Sequence, residues 1–260
     1  MSKKYIIFAA KKIIMMKNTI YITICVLSLV ACACHRPMHV AKASGEIMMI
    51  DSTLDAIQDT NYLALMAPIK SDLEMQLGAP IGYAPMALTV HQPECTMLNW
   101  ASDALWTKAC ELYPEKVDMA VVNIGGMRCS WAAGDITFKH VFELMPFDNE
   151  LVVLIMQGKD ILDLCDIFAK SGGQGVAGLR MVAQDGVLKS AQIDGKQIVP
   201  DAYYTVATSD YLSQGTDGMI PLKNHLSVWK SDKKIRDLYI EYIKQVKTVE
   251  SAIDGRMTIN

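Results

Sequence analysis

Three short segments of this sequence carry side chains that a plain scaffold does not require. The first is Asn123-Ile124-Gly125-Gly126-Met127-Arg128. Its paired glycines let the backbone turn sharply and approach a ligand, and Arg128 offers a planar fork suited to phosphate or carboxylate. The second is Met145-Pro146-Phe147-Asp148-Asn149, with an aromatic ring in the loop itself. The third runs from Asp210-Tyr211-Leu212 to Gly215-Thr216-Asp217-Gly218 and sets a second aromatic six residues before an acid in a glycine-bracketed turn. Taken singly, each is no more than a turn. Together they supply two aromatic faces, a guanidinium, a carboxamide and a carboxylate. A flat π ligand bearing hydroxyls and an anion uses all five: the rings for a base, Asp217 for ribose hydroxyls, Arg128 for phosphate. That is the chemistry of nucleotide recognition.

These loops resemble the C-terminal domain of the 5′-nucleotidase family, whose members include UDP-sugar hydrolases and 2′,3′-cyclic phosphodiesterases. The family's Asn-Gly-Gly-Gly-Ile/Val-Arg is similar to Asn123–Arg128, its Pro-Phe-Gly-Asn to Pro146–Asn149, and its aromatic strand end with Gly-Gly-Asp-Gly to Tyr211–Gly218. Upstream, Glu94–Asp103 resembles its Glu-Ser/Cys-x-x-Gly-Asn-Leu-x-x-Asp segment. Val176-Ala177-Gly178-Leu179 resembles Val-Ser-Gly-Leu, and Asp254-Gly255-Arg256 the closing Asp-Gly-Arg. The resemblance covers roughly residues 58 to 260, with its motifs in order.

The resemblance implies an α+β fold, a single mixed-sheet domain, and a substrate-binding set of Asn123, Arg128, Phe147, Asn149, Tyr211 and Asp217. In that set Phe147 and Tyr211 sandwich the base, Asn123 contacts it, Asp217 holds the ribose and Arg128 the phosphate. Gly125, Gly126, Gly215 and Gly218 are the loop glycines. Three positions depart from the family pattern: Asp148 and Thr216 replace glycines, and Ile124 replaces a small residue. No arginine stands near His91, where family members carry a further phosphate ligand.

The elements that must position these loops follow from periodicity. Residues 51–78 read as a helix, with Leu63, Met66, Ile69, Leu73 and Leu77 on one face and Pro68 as its break or restart. Ile81–Val90 reads as a strand, Leu98–Tyr113 as a helix, and Val117–Val122 as a short buried strand ending at Asn123. Thr137 caps a short helix through Leu144. Leu151–Met156 is a strand, Lys159–Lys170 a helix, and Ser171–Gly175 a flexible loop. Strands around Leu179–Ala183 and Val187–Ile193 meet at Asp185-Gly186, with a second turn at Asp194-Gly195. Tyr203–Thr208 is a strand and Ile235–Val246 an amphipathic helix. Strands and helices mix without strict alternation, which also indicates α+β.

The amino terminus reads as an address. The first 31 residues hold five lysines and no acid, and Ile20–Ala31 is an apolar run of 12 residues ending at Cys32. That pattern resembles a bacterial lipoprotein signal over residues 1–31, with Cys32 lipidated, a tether over 32–50 and the domain over 51–260. Cys34 is the weaker alternative acceptor, and Met15-Met16-Lys17 marks an alternative start. The expected location is the bacterial periplasm or cell surface, with membrane contact through the lipid alone. Without the leader, 20 basic and 28 acidic residues remain, so a nucleic-acid partner held by bulk charge is excluded. Hydrophobic residues at 51% against 20% charged exclude a disordered chain. None of the seven cysteines has metal-ligand spacing, and mostly buried free thiols are expected.

Family members hydrolyse phosphate esters in a separate N-terminal domain holding two metal ions. This sequence has five histidines, no Asp-x-His or His-x-His, and an Asn224-His225 followed by leucine instead of an acid. His91 and His140 stand alone. No Gly-x-Ser-x-Gly is present, and no spacing singles out a nucleophile. The chain is therefore expected to hold no cofactor and no catalytic residue, and to be inactive alone. Two divalent ions are expected in a separate metallophosphatase partner that completes the enzyme in trans. The alternative is a standalone lipid-anchored nucleoside-binding protein.

Overall fold

The computed structural model describes residues 3–32, 40, 42, 44–45, 47–50, 52 and 59–260, which divide into two units, 1–58 and 59–260. The helices are α1 (Lys3–Cys32), α2 (Thr60–Leu77), α3 (Thr96–Leu112), α4 (Phe138–Leu144), α5 (Gly158–Ser171), α6 (Asp210–Ser213) and α7 (Ile235–Val246). The strands are β1 (Pro80–Ala84), β2 (Met119–Val122), β3 (Gly134–Thr137), β4 (Glu150–Gln157), β5 (Gly175–Ala177) and β6 (Leu179–Gln184). They continue with β7 (Val187–Ile193), β8 (Lys196–Gln197), β9 (Tyr203–Ser209), β10 (Ser227–Lys234) and β11 (Met257–Ile259).

In the first unit the apolar run lies within α1, a single helix of 30 residues that ends at Cys32. No helix among the described residues is long and apolar enough to cross a membrane. Cys34 and most of the expected tether lie outside the described residues.

The second unit is built on a five-stranded sheet of order β10-β4-β9-β2-β5. Strand side chains alternate between faces, and here both faces are covered. On β4, Leu151 and Val153 enter one core while Val152, Leu154 and Met156 enter the other. On β2, Ala120 and Val122 divide from Met119 and Val121 in the same way. The first core packs beneath α3 and α7 around Trp100, whose ring lies 5.0 Å from Trp131 and 5.2 Å from Tyr239. The second packs beneath α5 and a four-stranded sheet of order β11-β6-β7-β8. The Asp185-Gly186 and Asp194-Gly195 turns join β6 to β7 and β7 to β8, all four residues at positive φ. The architecture is α+β, as the mixture of elements indicates.

Several segments differ from the sequence reading. Of the helix expected over 51–78, residues 51 and 53–58 lie outside the described residues; α2 runs from Thr60, capped by Asp59, whose Oδ1 accepts the Asn61 and Tyr62 amides at 3.0 and 3.1 Å. Pro68 sits inside it without ending it, because strong helix formers on both sides carry the helix through. None of its apolar stripe is buried. The strand expected over 81–90 stops at Ala84, because Pro85 cannot donate to the ladder. Gly175 belongs to β5 and not to a flexible loop: a Cβ there would collide with the Val122 side chain, so this glycine permits close strand approach. β3, β10 and β11 are strands where no strand was expected.

Candidate functional site

Strand polarity puts the three loops at one edge of the central sheet. β2 and β9 are parallel, with Met119 beside Val206, so their carboxyl ends share that edge. β4 runs antiparallel to β9, with Leu151 opposite Ser209, so its amino end lies there too. Asn123 follows β2, Asn149 precedes β4 and Tyr211 follows β9. The site is therefore assembled by topology from segments about 90 residues apart at the extremes, Asn123 and Asp217.

All six candidate residues line one cleft of about 360 Å³: Asn123, Arg128, Phe147, Asn149, Tyr211 and Asp217, with Gly125 and Gly126 on its floor. Phe147 and Tyr211 are each 43% exposed, large rings left open to solvent at this edge. Gly215 and Gly218 hold the turn that presents Asp217, at φ +77° and +76°. Gly126 is needed for a different reason. A Cβ on it would stand 2.6 Å from Asn123 Oδ1, whereas one on Gly125 meets nothing closer than 3.6 Å.

The polar groups are tied to each other. The Tyr211 hydroxyl donates to Asp217 Oδ1 at 2.8 Å, and Asn123 Nδ2 donates to Asp217 Oδ2. The bond to Asp217 holds the Tyr211 phenol above the usual tyrosine range. Arg128 Nη1 donates to Gly125 O at 3.2 Å, and the Arg128 amide donates to Leu144 O at 2.9 Å. Arg128 is the one cation among the cleft's lining residues.

The three departures from the family pattern each have a structural task. Asp148 pairs with Arg236 Nη2 at 2.6 Å and with Lys234 at 3.0 Å. Thr216 Oγ1 donates to Tyr211 O at 2.6 Å, closing the turn onto the aromatic residue. Ile124 packs against the first core.

Sequence reasoning missed four supporting residues. Gln174 Oε1 accepts the Ile124 amide at 2.8 Å, and Asp210 Oδ1 accepts the Glu150 and Tyr211 amides at 3.0 and 2.8 Å. Arg236 and Lys234 brace Asp148 from the start of α7 and the end of β10. None carries a sequence signal, because each acts through a backbone group or a residue that is distant in the chain. A second cavity of about 350 Å³ shares Asn149 and Tyr211 with the cleft and adds Asp210, Gln214, His225 and Lys230.

The remaining motifs lie elsewhere and are structural. Glu94 is buried and accepts from Asn99 Nδ2 at 2.7 Å, the Asp254 amide at 2.9 Å and the Gly255 amide at 3.1 Å. Arg256 grips Asp103 through two nitrogens at 2.6 and 3.1 Å and donates to Val176 O at 3.0 Å. The segments around 94–103, 176–178 and 254–256 thus form one polar clasp.

A model of the "5'-nucleotidase, C-terminal domain" matches residues 79–224, which contain all three cleft loops. The chain belongs to the 5′-nucleotidase C-terminal domain family. It is 28% identical over 191 residues to a 5′-nucleotidase of Vibrio cholerae, covering 71% of this chain and 34% of that protein. To Protein UshA of Escherichia coli it is 27% identical over 197 residues, covering 73% and 36%. The 5′-nucleotidase precursor of Thermus thermophilus shares the fold with a TM-score of 0.67 at 24% identity, over 76% of this chain and 42% of that one. The chain spans about a third of the length of these curated relatives.

The cleft's donor set does not fit a pair of divalent ions. Its single carboxylate, Asp217, is engaged by Tyr211 and Asn123, and a guanidinium stands in the same cleft. Among the described residues no group of three His, Cys, Asp or Glu is placed to hold a metal ion. Asn224 donates to Asp160 at 2.8 Å, His225 Nδ1 meets Leu222 O at 2.9 Å, and His140 Nδ1 accepts the Thr137 amide at 3.1 Å as a helix cap. Five cysteines are free thiols: Cys95 and Cys165 are buried, Cys129 is half-buried, and Cys25 and Cys110 are exposed. Burial pushes the Cys165 thiol up to about 12.

Proposed function

We propose that this domain recognises the substrate of a 5′-nucleotidase-type phosphohydrolase. Phe147 and Tyr211 take the base between them with Asn123 at its edge and Asn149 beside it, Asp217 takes the ribose hydroxyls, and Arg128 takes the phosphate. The observation that carries this reading is the convergence of all six on one cleft, with ring faces, acceptor and cation together. These groups bind and orient; the phosphoryl step belongs to a metallophosphatase partner acting in trans. The chain is exported and held at a periplasmic or cell-surface membrane by lipid on Cys32. Calorimetry with adenosine and AMP on the full chain and on Tyr211→Ala tests the recognition step, and equal affinities in the two proteins would remove it. Phosphate release from nucleoside monophosphates by mixed domain and phosphatase, above the phosphatase alone, tests the partnership.

One observation favours a second reading, a lipid-anchored nucleoside-binding protein with no hydrolase role. Arg128 is the cleft's lone cation, so a phosphate has a single charged partner. Equal affinity for adenosine and AMP would select that reading.

A further inference from the structure

Asp217 stands in the cleft already engaged on both oxygens. Tyr211 donates its hydroxyl proton to Oδ1 at 2.8 Å, and Asn123 donates to Oδ2. This arrangement is built into the backbone. Asp217 itself is left-handed, at φ +52°, between Gly215 and Gly218 at +77° and +76°. Thr216 Oγ1 holds the same turn to Tyr211 O at 2.6 Å, so phenol and carboxylate are fixed across six residues of one loop. A phenylalanine at position 211 would present an equivalent ring face. The hydroxyl adds nothing to stacking; it commits its proton to Asp217.

We propose that the Tyr211 hydroxyl competes with a ribose diol for Asp217, by taking one of the carboxylate's acceptor sites before the ligand arrives. Tyr211 thereby sets how strongly the cleft distinguishes ribonucleosides from nucleosides that lack the diol. The proposal rests on the nucleotide-recognition reading above. Each oxygen of Asp217 keeps a second acceptor site, but a diol reaching it must share the carboxylate with donors already in place and gains less net affinity than from an oxygen facing only water. A ligand without the diol leaves the Tyr211–Asp217 bond intact and forfeits almost nothing. With the hydroxyl removed, Oδ1 faces only water before binding, and the diol then gains a charge-assisted bond that a diol-free ligand cannot make. The Asn123 contact to Oδ2 remains in either case and keeps the carboxylate oriented.

The test is calorimetry with adenosine and 2′,3′-dideoxyadenosine on the full chain and on Tyr211→Phe. The unmodified protein is expected to separate the two ligands by about threefold or less, and Tyr211→Phe to widen that ratio roughly tenfold through tighter adenosine binding. Affinity for the dideoxynucleoside stays nearly constant, because the ring is retained. In an Asp217→Asn background, Tyr211→Phe is expected to leave the ratio alone, which ties the effect to the carboxylate. An unchanged ratio in Tyr211→Phe, with adenosine still binding and weakened by Phe147→Ala, overturns this inference alone. Absence of adenosine and AMP binding to the unmodified protein overturns the recognition reading and this inference with it.

Discussion

Arg236 holds Asp148 at 2.6 Å while its guanidinium lies 4.3 Å from the centre of the Phe142 ring. Arg236 is only 8% exposed, and one of its nitrogens, Nε, is buried without a partner. Its Nη1 also reaches Phe147 O at 3.4 Å, and the neighbouring Ile235 amide donates to Asn149 O at 2.9 Å. The start of α7 therefore sets the loop that carries one of the cleft's two rings.

Replacing Arg236 with methionine should cost about 2 kcal/mol of stability, through lost stem packing and ring contact together with the lost pairing. It should also weaken adenosine binding roughly fivefold by loosening Phe147. Thermal unfolding and calorimetry measure the two effects. Arg236→Lys should recover most of the stability but less of the affinity, since lysine lacks the planar fork.

The same pair has a signature in acid. Lys234, then Arg236, hold the Asp148 carboxyl below its ordinary value of 3.8. A depressed folded-state value means that the stabilisation is complete above 3.8 and is lost as pH falls through the folded value. The difference in thermal midpoint between the unmodified protein and Asp148→Asn should thus be flat from about pH 7 to 5 and close as pH falls below 3.8. A gap that grows in acid would contradict the assignment.

The two floor glycines should behave differently. Gly126→Ala brings a methyl to within 2.6 Å of Asn123 Oδ1 and 3.3 Å of its Cγ, so the carboxamide must shift and its bond to Asp217 is strained. Adenosine affinity should fall roughly tenfold. Gly125→Ala meets Asp217 and Asn123 only at 3.6 and 3.7 Å and should bind within about twofold of the unmodified protein.

Glu94→Ala should destabilise by about 3 kcal/mol, because it leaves the Asp254 and Gly255 amides without their acceptor and the Asn99 carboxamide with Ala252 O alone. Ligand affinity of the folded protein should not change, since the clasp lines no part of the cleft. Urea unfolding beside calorimetry separates the two.

The cleft was legible in the sequence to the extent that it needs unusual residues in turns. Phe147 and Tyr211 stand in loops, and Gly126, Gly215 and Gly218 mark places where the chain must bend or make room. Arg236 was not legible, since one arginine on the amphipathic α7 looks like any solvated helix position until the fold places Asp148 beside it. β10 was hidden for a related reason. Ser227–Lys234 is an edge strand carrying four charges, and its pairing with β4 alone makes it a strand. Glu94 and Arg256 were legible as motif residues but not as partners, because 153 residues separate Asp103 from Arg256 and nothing local records their contact.

The clasp also fixes when the domain can finish folding. The Asp254 and Gly255 amides and the Arg256 guanidinium that engage Glu94 and Asp103 are made more than 150 residues after them, and β11 joins β6 only after those. A chain emerging amino end first therefore holds Glu94 without these two amides through some 160 residues of synthesis. The domain cannot close this clasp until Arg256 has been made, so about the first 150 residues after Glu94 fold, if at all, without it.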